Sequence, residues 1–526
     1  MPLTPSGSDT ARGRRPSLPS RMPLSAIAFL FLSAALALIQ SHVQLLWTDE
    51  FYALESDSVA GIARLVHMQL TTPISLDPLV YNACAHATIR LFGAGPFAIR
   101  LPSICGFLLM QLCLFYFVRR VATDRAAAFA VAFPALAGIA DYSIQGRPYG
   151  LWLGLSALAM VSWQTAIRRP SNRTSSLVVL FLSVVLALNT HYYGVLLLVP
   201  LYAAEAVRTL ESRRVDVPML TSILAASAAG ILLLLPFARG VSQFRAHYFE
   251  HGVSFHFVSH AFLWLLIGYV NLSIPTQHIL GACFLIFLAG LTWSFFRLRP
   301  TVVLSLSTAE VVFVCTLAAL PVFGFVLARL ATGVIEARYT LPAIIGITVV
   351  LSILIAPLLE KKLSGRMIVG AMFVAIAATG AWHIRTERLT AQRLLASLRP
   401  DSTTEMRLEA TRGRPIYVTN PGTFQFVTYY APSADLRSRL TLAYSRQEEM
   451  QSHLGDHLSL TAANMRADGV PHVVPYEPLT GHGAERLFLF YPVPWDWTGQ
   501  ALSAAHAQIK PLGTLLGANL VSVRFP

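Results

Sequence analysis

Long apolar runs recur through the first three quarters of this chain, and arginine and lysine gather in every second loop between them. That pattern admits few folds. A helix needs about 20 apolar residues to cross a hydrocarbon core of roughly 30 Å, and no water is present there to satisfy an open backbone. Taken in order, the runs predict spans near residues 26–46, 99–118, 126–142, 149–167, 176–189, 194–207, 219–237, 279–296, 311–328, 341–359 and 368–383, about eleven in all. The composition agrees. Only 13% of the 526 residues are charged and 55% are hydrophobic, whereas a soluble chain carries about a quarter charged residues.

The loops supply the orientation. Arg119-Arg120-Arg125, Arg168-Arg169-Arg173, Arg208-Arg213-Arg214, Arg297-Arg299 and Lys361-Lys362-Arg366 all fall on the side of an N-terminal tail bearing Arg12, Arg14, Arg15 and Arg21. Lys and Arg concentrate in cytoplasmic loops, so this side and the tail, residues 1–24, are expected in the cytoplasm. The parity requires residues 255–274 to lie on or near the outer surface, which His256, His260, Tyr269 and Asn271 permit. The run after the tail is too long for a signal-peptide core and lacks a small-residue cleavage pattern, so it is expected to stay as the first helix. A net charge of +13 spread over short loops, with no basic patch interleaved with aromatics, argues against a nucleic-acid partner. The five cysteines have no CxxC spacing, and neither a zinc site nor a disulfide framework is expected.

Ionisable residues on the opposite face are the candidates for function. Asp49 and Glu50 follow the first run directly, and paired acids at that depth need water, a partner or a substrate. An outer loop over residues 47–98 is expected to hold interfacial helices near 58–69 and 78–92, with Asp77 ahead of Pro78 reading as a helix N-cap. Asp141 and Arg147 end the third span. A cation there runs against the positive-inside pattern and calls for an anion, either a substrate or Asp141 itself. Tyr149, the tight turn with His191 and Tyr192, and the later loop with Arg338 and Tyr339 complete the set. Carboxylates serve as general base or metal ligand, and guanidinium groups grip phosphate through paired hydrogen bonds. The chemistry indicated is transfer from a phosphate-bearing lipid.

Four segments carry a family resemblance: Trp47-Thr48-Asp49-Glu50, Gln145-Gly146-Arg147-Pro148-Tyr149-Gly150-Leu151, Thr190-His191-Tyr192-Tyr193-Gly194 and Ala337-Arg338-Tyr339-Thr340-Leu341-Pro342. Together they resemble the GT-C superfamily of membrane glycosyltransferases, bacterial family 39, in the branch of protein O-mannosyltransferases and lipid A aminoarabinose transferases. The resemblance covers roughly residues 25–384. It implies a polyprenyl-phosphate sugar donor, a protein, lipid or glycan acceptor, and inverting transfer in an outer-face cavity of the bacterial inner membrane. By the same resemblance Asp49 would be the catalytic base, Glu50 would orient it or bind acceptor, and Asp141 would be a second catalytic acid. Arg147 and Arg338 would hold the leaving phosphate, with Tyr149, His191, Tyr192 and Tyr339 binding substrate. Two departures, Gln145 where many relatives have glutamate and Leu76-Asp77-Pro78-Leu79 in place of a His-Pro-Pro-Leu-like segment, leave open whether a divalent cation is needed.

Beyond residue 384 the composition becomes that of a soluble domain, residues 385–526. Strands are predicted at 414–419, 487–491 and 519–525, and helices at 422–430 and 498–508. The whole chain is therefore expected to be an all-α polytopic membrane protein with a small C-terminal α/β domain in the periplasm, covering the cavity or binding acceptor. A transporter, flippase or binding protein for lipid-linked sugars is the rival reading. Against it, the spans are apolar through their centres and the two halves do not resemble one another.

Overall fold

The computed structural model describes residues 21–242, 253–268, 274–298, 304–452, 455–481, 485–493 and 496–526. The tail through residue 20, Arg299, and the Tyr269 and Asn271 expectations lie outside the described residues.

The helices in chain order begin with α1 (Leu24–Val43), α2 (Thr48–Asp57), α3 (Ile62–Thr71), α4 (Leu79–Phe92), α5 (Pro96–Val121), α6 (Asp124–Ala132), α7 (Tyr149–Arg168) and α8 (Arg173–Leu188). Next come α9 (Leu198–Ser212), α10 (Val217–Ser242), α11 (His256–Ile267), α12 (Ile274–Leu298), α13 (Thr308–Ala318), α14 (Leu320–Leu327), α15 (Ala343–Glu360) and α16 (Lys362–Ser397). Among the described residues nine helices are long and apolar enough to cross a membrane, or ten if the pair 308–318 and 320–332, bent by 58°, is one span. The span expected at 126–142 does not form as one helix. α6 stops at Ala132, Pro134 follows in a 3-10 turn, and Asp141 lies in a second 3-10 turn, Ala140–Ser143. α11, at 12 residues, reaches only about 18 Å and falls short of a crossing.

Packing in the bundle depends on close backbone approach. A Cβ on Gly150 would lie 2.4 Å from the Ser103 carbonyl oxygen, and one on Gly154 would lie 2.4 Å from that of Gly106. These glycines let α7 seat directly on α5, the small-residue contact that membrane helices use because lipid offers no hydrophobic drive for association. Trp152 and Trp163 are fully buried in the same core, while Phe31, Leu232, Phe287 and Trp293 are exposed on the outside. A polar pin closes the arginine-rich end. Glu310, fully buried, takes Arg168 Nε at 2.6 Å and Gln164 Nε2 at 2.9 Å.

α16 runs without a break past residue 384 and, at 36 residues, carries the chain about 54 Å. It leads into α17 (Ser402–Ala410), β1 (Ile416–Val418), α18 (Pro421–Tyr430), α19 (Ala434–Arg439), β2 (Leu440–Tyr444), α20 (Arg446–Gln451), α21 (His457–Ala467), β3 (Val473–Pro475), β4 (Glu485–Phe490), α22 (Thr498–Ala504), β5 (Gln508–Leu515) and β6 (Ala518–Arg524). The sheet order is β3-β2-β1-β4-β6-β5, parallel from β3 to β4 and antiparallel from β4 to β5. Leu516 and Gly517, at φ 55° and 74°, close the last hairpin in the left-handed conformation that a tight two-residue turn requires. The helix expected at 498–508 ends early because residues from Gln508 pair with β6.

The domain core extends into the outer loop. Leu65, Met68 and Ile74 are buried with Ile416, Val418, Leu442 and Leu487, so α3 packs against the sheet domain. The Tyr430 hydroxyl accepts the Leu46 N–H at 3.0 Å, and the Phe51 ring meets Phe426, Tyr429 and Tyr430 edge-on. Asn464 Nδ2 donates to the Pro73 carbonyl at 2.9 Å, and Thr72 Oγ1 to Asp468 Oδ1 at 2.8 Å.

Candidate active site

After α1 the chain turns through residues 44–47 into α2, whose first turn carries Asp49 and Glu50. Carboxylates are favoured there because the first backbone N–H groups of a helix lack partners. The two residues then part. Glu50 is fully buried and receives Arg100 Nε at 2.8 Å and Nη2 at 2.6 Å, the Gly146 N–H at 2.5 Å and the Trp47 N–H at 3.3 Å. Arg100 spends its remaining donors on the carbonyls of Ser41, Gln44 and Leu45, at 2.9, 2.8 and 3.0 Å. Glu50 therefore joins the end of α1, the start of α2, α5 and the loop before α7. It does not line the cavity, so the expected contact with acceptor is replaced by an anchoring contact.

Asp49 points the other way, into a cavity of 410 Å³ that also receives Asp77, Arg147, Tyr149, His191, Tyr192, Arg338 and Tyr339. Arg147 bridges two carboxylates, with Nη1 3.3 Å from Asp49 Oδ2 and Nη2 3.3 Å from Asp77 Oδ1. Its backbone is fixed from α5, where Ser103 Oγ donates to the Arg147 carbonyl at 2.5 Å. Asp77 does not cap α4: Pro78 holds the cap position, and the Asp77 carboxylate takes the Ser75 hydroxyl at 3.2 Å. Burial pushes the Asp77 carboxyl up, Arg147 pulls it down, and the Asp49 charge adds to the rise.

Arg338 differs from Arg147. Among the described residues it makes no ion pair, and its buried Nε has no hydrogen-bond partner; its guanidinium lies 5.8 Å from the centre of the Tyr339 ring. His191 lies between rings, stacked on Trp152 at 4.6 Å and tilted against Tyr149 and Tyr339. Its Nδ1 accepts the Tyr193 N–H at 3.1 Å, which leaves the proton of the neutral ring on Nε2. Burial, with Arg147 and Arg338 adding to it, pushes its pKa down to about 3.

Asp141 is not part of this cavity. Its side chain is 58% exposed and lies 3.4 Å from His383 Nδ1, in a separate cavity of 360 Å³ that also receives Gln40 and Thr379. The break after α6 turns it there, so neither the second catalytic role nor the Asp141–Arg147 pairing forms. Among the described residues no group of three or more His, Cys, Asp or Glu side chains is placed to hold a metal ion. The cation between Asp49 and Asp77 is the Arg147 guanidinium.

Comparison with known proteins follows this architecture. The crystal structure of ArnT from Cupriavidus metallidurans in the apo state superposes over 94% of this chain and 97% of its own, with a TM-score of 0.58 at 14% identity. This is a GT-C fold. The family model for dolichyl-phosphate-mannose-protein mannosyltransferase matches residues 77–238, the stretch that supplies Asp77, Arg147, Tyr149, His191 and Tyr192. The same ArnT bound to undecaprenyl phosphate aligns at 13% identity, 94% and 97% coverage and a TM-score of 0.45. An oligosaccharyltransferase from Archaeoglobus fulgidus, in complex with Zn and sulfate, aligns at 13% identity over 79% of this chain and 62% of its own, with a TM-score of 0.39. No curated protein matches the sequence significantly.

Two wall components of the cavity were not readable in the sequence. Asp77 belongs to the Arg147 bridge, and the only signal available was electrical: two outer-face cations needed more than one acid. His457 and Thr461 enter from α21 of the sheet domain. Burial lowers the His457 pKa, while Asp456 and Asp49 oppose that shift. No local pattern in the sequence marks either residue.

Proposed function

We propose that this chain transfers a sugar from a polyprenyl-phosphate donor to an acceptor hydroxyl, with chemistry at Asp49 and phosphate held at Arg338. The observation that carries the reading is a cavity-lining guanidinium, Arg338, that makes no ion pair among the described residues, in the same chamber as a carboxylate at the N-terminus of a helix, Asp49. A half-buried cation that makes no ion pair in a cavity is a site for an anionic ligand. The matching family model is named for a polyprenyl-phosphate sugar donor, in keeping with that anion.

In the reaction the acceptor oxygen bonds to C1 of the sugar and its proton passes to the Asp49 carboxylate. The bond from C1 to the phosphate oxygen breaks, and its electron pair leaves on polyprenyl phosphate, whose charge Arg338 meets. A single displacement of this kind inverts C1. Arg147 holds Asp49 in place through the ion pair. The neutral His191 offers an Nε2–H to a substrate oxygen, and Tyr149, Tyr192 and Tyr339 give the sugar apolar walls. The arginine-rich loops support a cytoplasmic position for the opposite end of the bundle, with the cavity and the sheet domain facing the periplasm of a bacterial inner membrane.

The test is transfer of radiolabel from a panel of undecaprenyl-phosphate sugars to a membrane extract, comparing the purified parent with Asp49→Asn. Transfer by the parent that disappears in the variant is expected. Equal transfer by both, or tight donor binding by the parent without turnover, would overturn the assignment.

A further inference from the structure

α2 separates two cavities. Asp49 and Tyr52 face the chamber described above, whereas Phe51, Leu54, Glu55 and Ser58, spaced three and four residues apart along the helix, line a groove of 520 Å³ between α2 and the sheet domain. Its other wall includes Phe424, Gln425, Thr428 and Tyr429 of α18 and Arg437 of α19. The volume lies within the usual range for a small-molecule site, about 300–1,000 Å³.

Two polar side chains of this groove have no hydrogen-bond partner among the described residues. Gln425 is 93% buried, at 7% exposure, and neither its Nε2 nor its Oε1 finds a hydrogen bond; the buried Oγ1 of Thr428 has none either. A buried amide or hydroxyl left unpaired costs about 1–3 kcal/mol, and native structures keep few such groups. Here two unpaired side chains lie one helical turn apart on α18 and line one groove. Beside them are three aromatic rings, Phe51, Phe424 and Tyr429, and one carboxyl, Glu55. Amide, hydroxyl and carboxyl groups together accept and donate to the hydroxyls of a ring, while aromatic faces take its C–H surface. Pyranose sugars present both kinds of surface.

We infer that the groove between α2 and α18 is a saccharide-binding site, separate from the catalytic chamber, that holds a pyranose against Gln425, Thr428 and the Tyr429 ring. The site needs only its own groups and does not depend on the transferase reading. Given that reading, a glycan-bearing acceptor held there would stay close to Asp49 across the thickness of one helix, at raised effective concentration.

Saturation-transfer difference NMR on the full-length protein, purified in a detergent without a sugar headgroup, tests this with the disaccharide of N-acetylglucosamine as probe and trialanine as comparison. Saturable disaccharide binding is expected, weakened at least tenfold by Gln425→Leu and by Thr428→Val, with trialanine giving no saturable signal. Both substitutions remove unpaired polar atoms, so folding should survive, and a thermal melt of each variant checks that. Asp49→Asn should bind the disaccharide as the parent does, which separates failure of the groove from failure of the catalytic assignment. Absence of saturable disaccharide binding, equal binding by the folded Gln425→Leu and Thr428→Val proteins, or binding of trialanine in preference to the sugar would overturn the inference.

Discussion

Two cavities each receive an acid that the sequence singles out, and they differ in what surrounds it. Around Asp49 the walls are rings and two arginines, and the neighbouring backbone is fixed by Glu50, Arg100 and Ser103. Around Asp141 the acid is 58% exposed and meets one histidine. Reactive carboxylates require a partner set that excludes water and holds them still. The Asp49 side chain, 26% exposed, is held by Arg147, whereas the Asp141 side chain, 58% exposed, has only His383 beside it. Two acids of the same kind can therefore have unlike roles, decided by the packing behind them.

The sharpest break of this comparison is a pair of conservative substitutions. Asp49→Asn should lower the transfer rate by about 10²- to 10⁴-fold, the usual contribution of a general base, whereas Asp141→Asn should stay within about threefold. An Asp141 variant as inactive as the Asp49 variant would erase the distinction. Next in size is Glu50→Gln, which leaves Arg100 charged and buried without its carboxylate. It should cost about 3–5 kcal/mol of stability, read as a lower melting temperature in detergent, and loss of activity without loss of stability would return Glu50 to the chemistry. Arg338→Gln should weaken donor use by roughly 10- to 100-fold, the value of a charge-assisted hydrogen bond, with the larger part in the donor KM. Arg147→Gln should instead depress kcat by releasing Asp49.

The most gradual effect is a pH slope. The folded protein keeps His191 neutral down to about pH 3, whereas the unfolded chain protonates it near about 6.5. Between those values the unfolded state binds the extra proton, so stability falls as pH drops from about 6.5 toward 3 and is recovered above it, by at most tenfold in the folding equilibrium per pH unit. His191→Gln should flatten that part of the profile. Identical slopes for parent and variant would show that the ring is protonated in the folded state.

The bundle was legible because lipid enforces its own pattern: each crossing must be long, apolar and internally hydrogen-bonded. Asp49, Arg147, Tyr149, His191, Tyr192, Arg338 and Tyr339 could be collected because a charge or aromatic cluster on the outer face has few inexpensive explanations, and all seven line one cavity. The third span was misread where Pro134 and the 3-10 turns interrupt an apolar run that hydropathy alone treats as continuous. In the sheet domain, β2 and β3 are only 5 and 3 residues long and lack a period to detect.

The sequence by itself determined that this chain crosses a membrane many times, which end carries the arginines, and which residue types gather at the other end. Tertiary structure alone decided which carboxylate faces the cavity. Asp49 and Glu50 are neighbours in sequence, yet a helix turns successive side chains by about 100°, and the Arg100 guanidinium on α5 claims only the one that points back into the bundle. It also decided that Asp77, His457 and Gln425 line cavities, because each is placed by contacts between segments far apart in the chain, and such contacts leave no local periodicity to read.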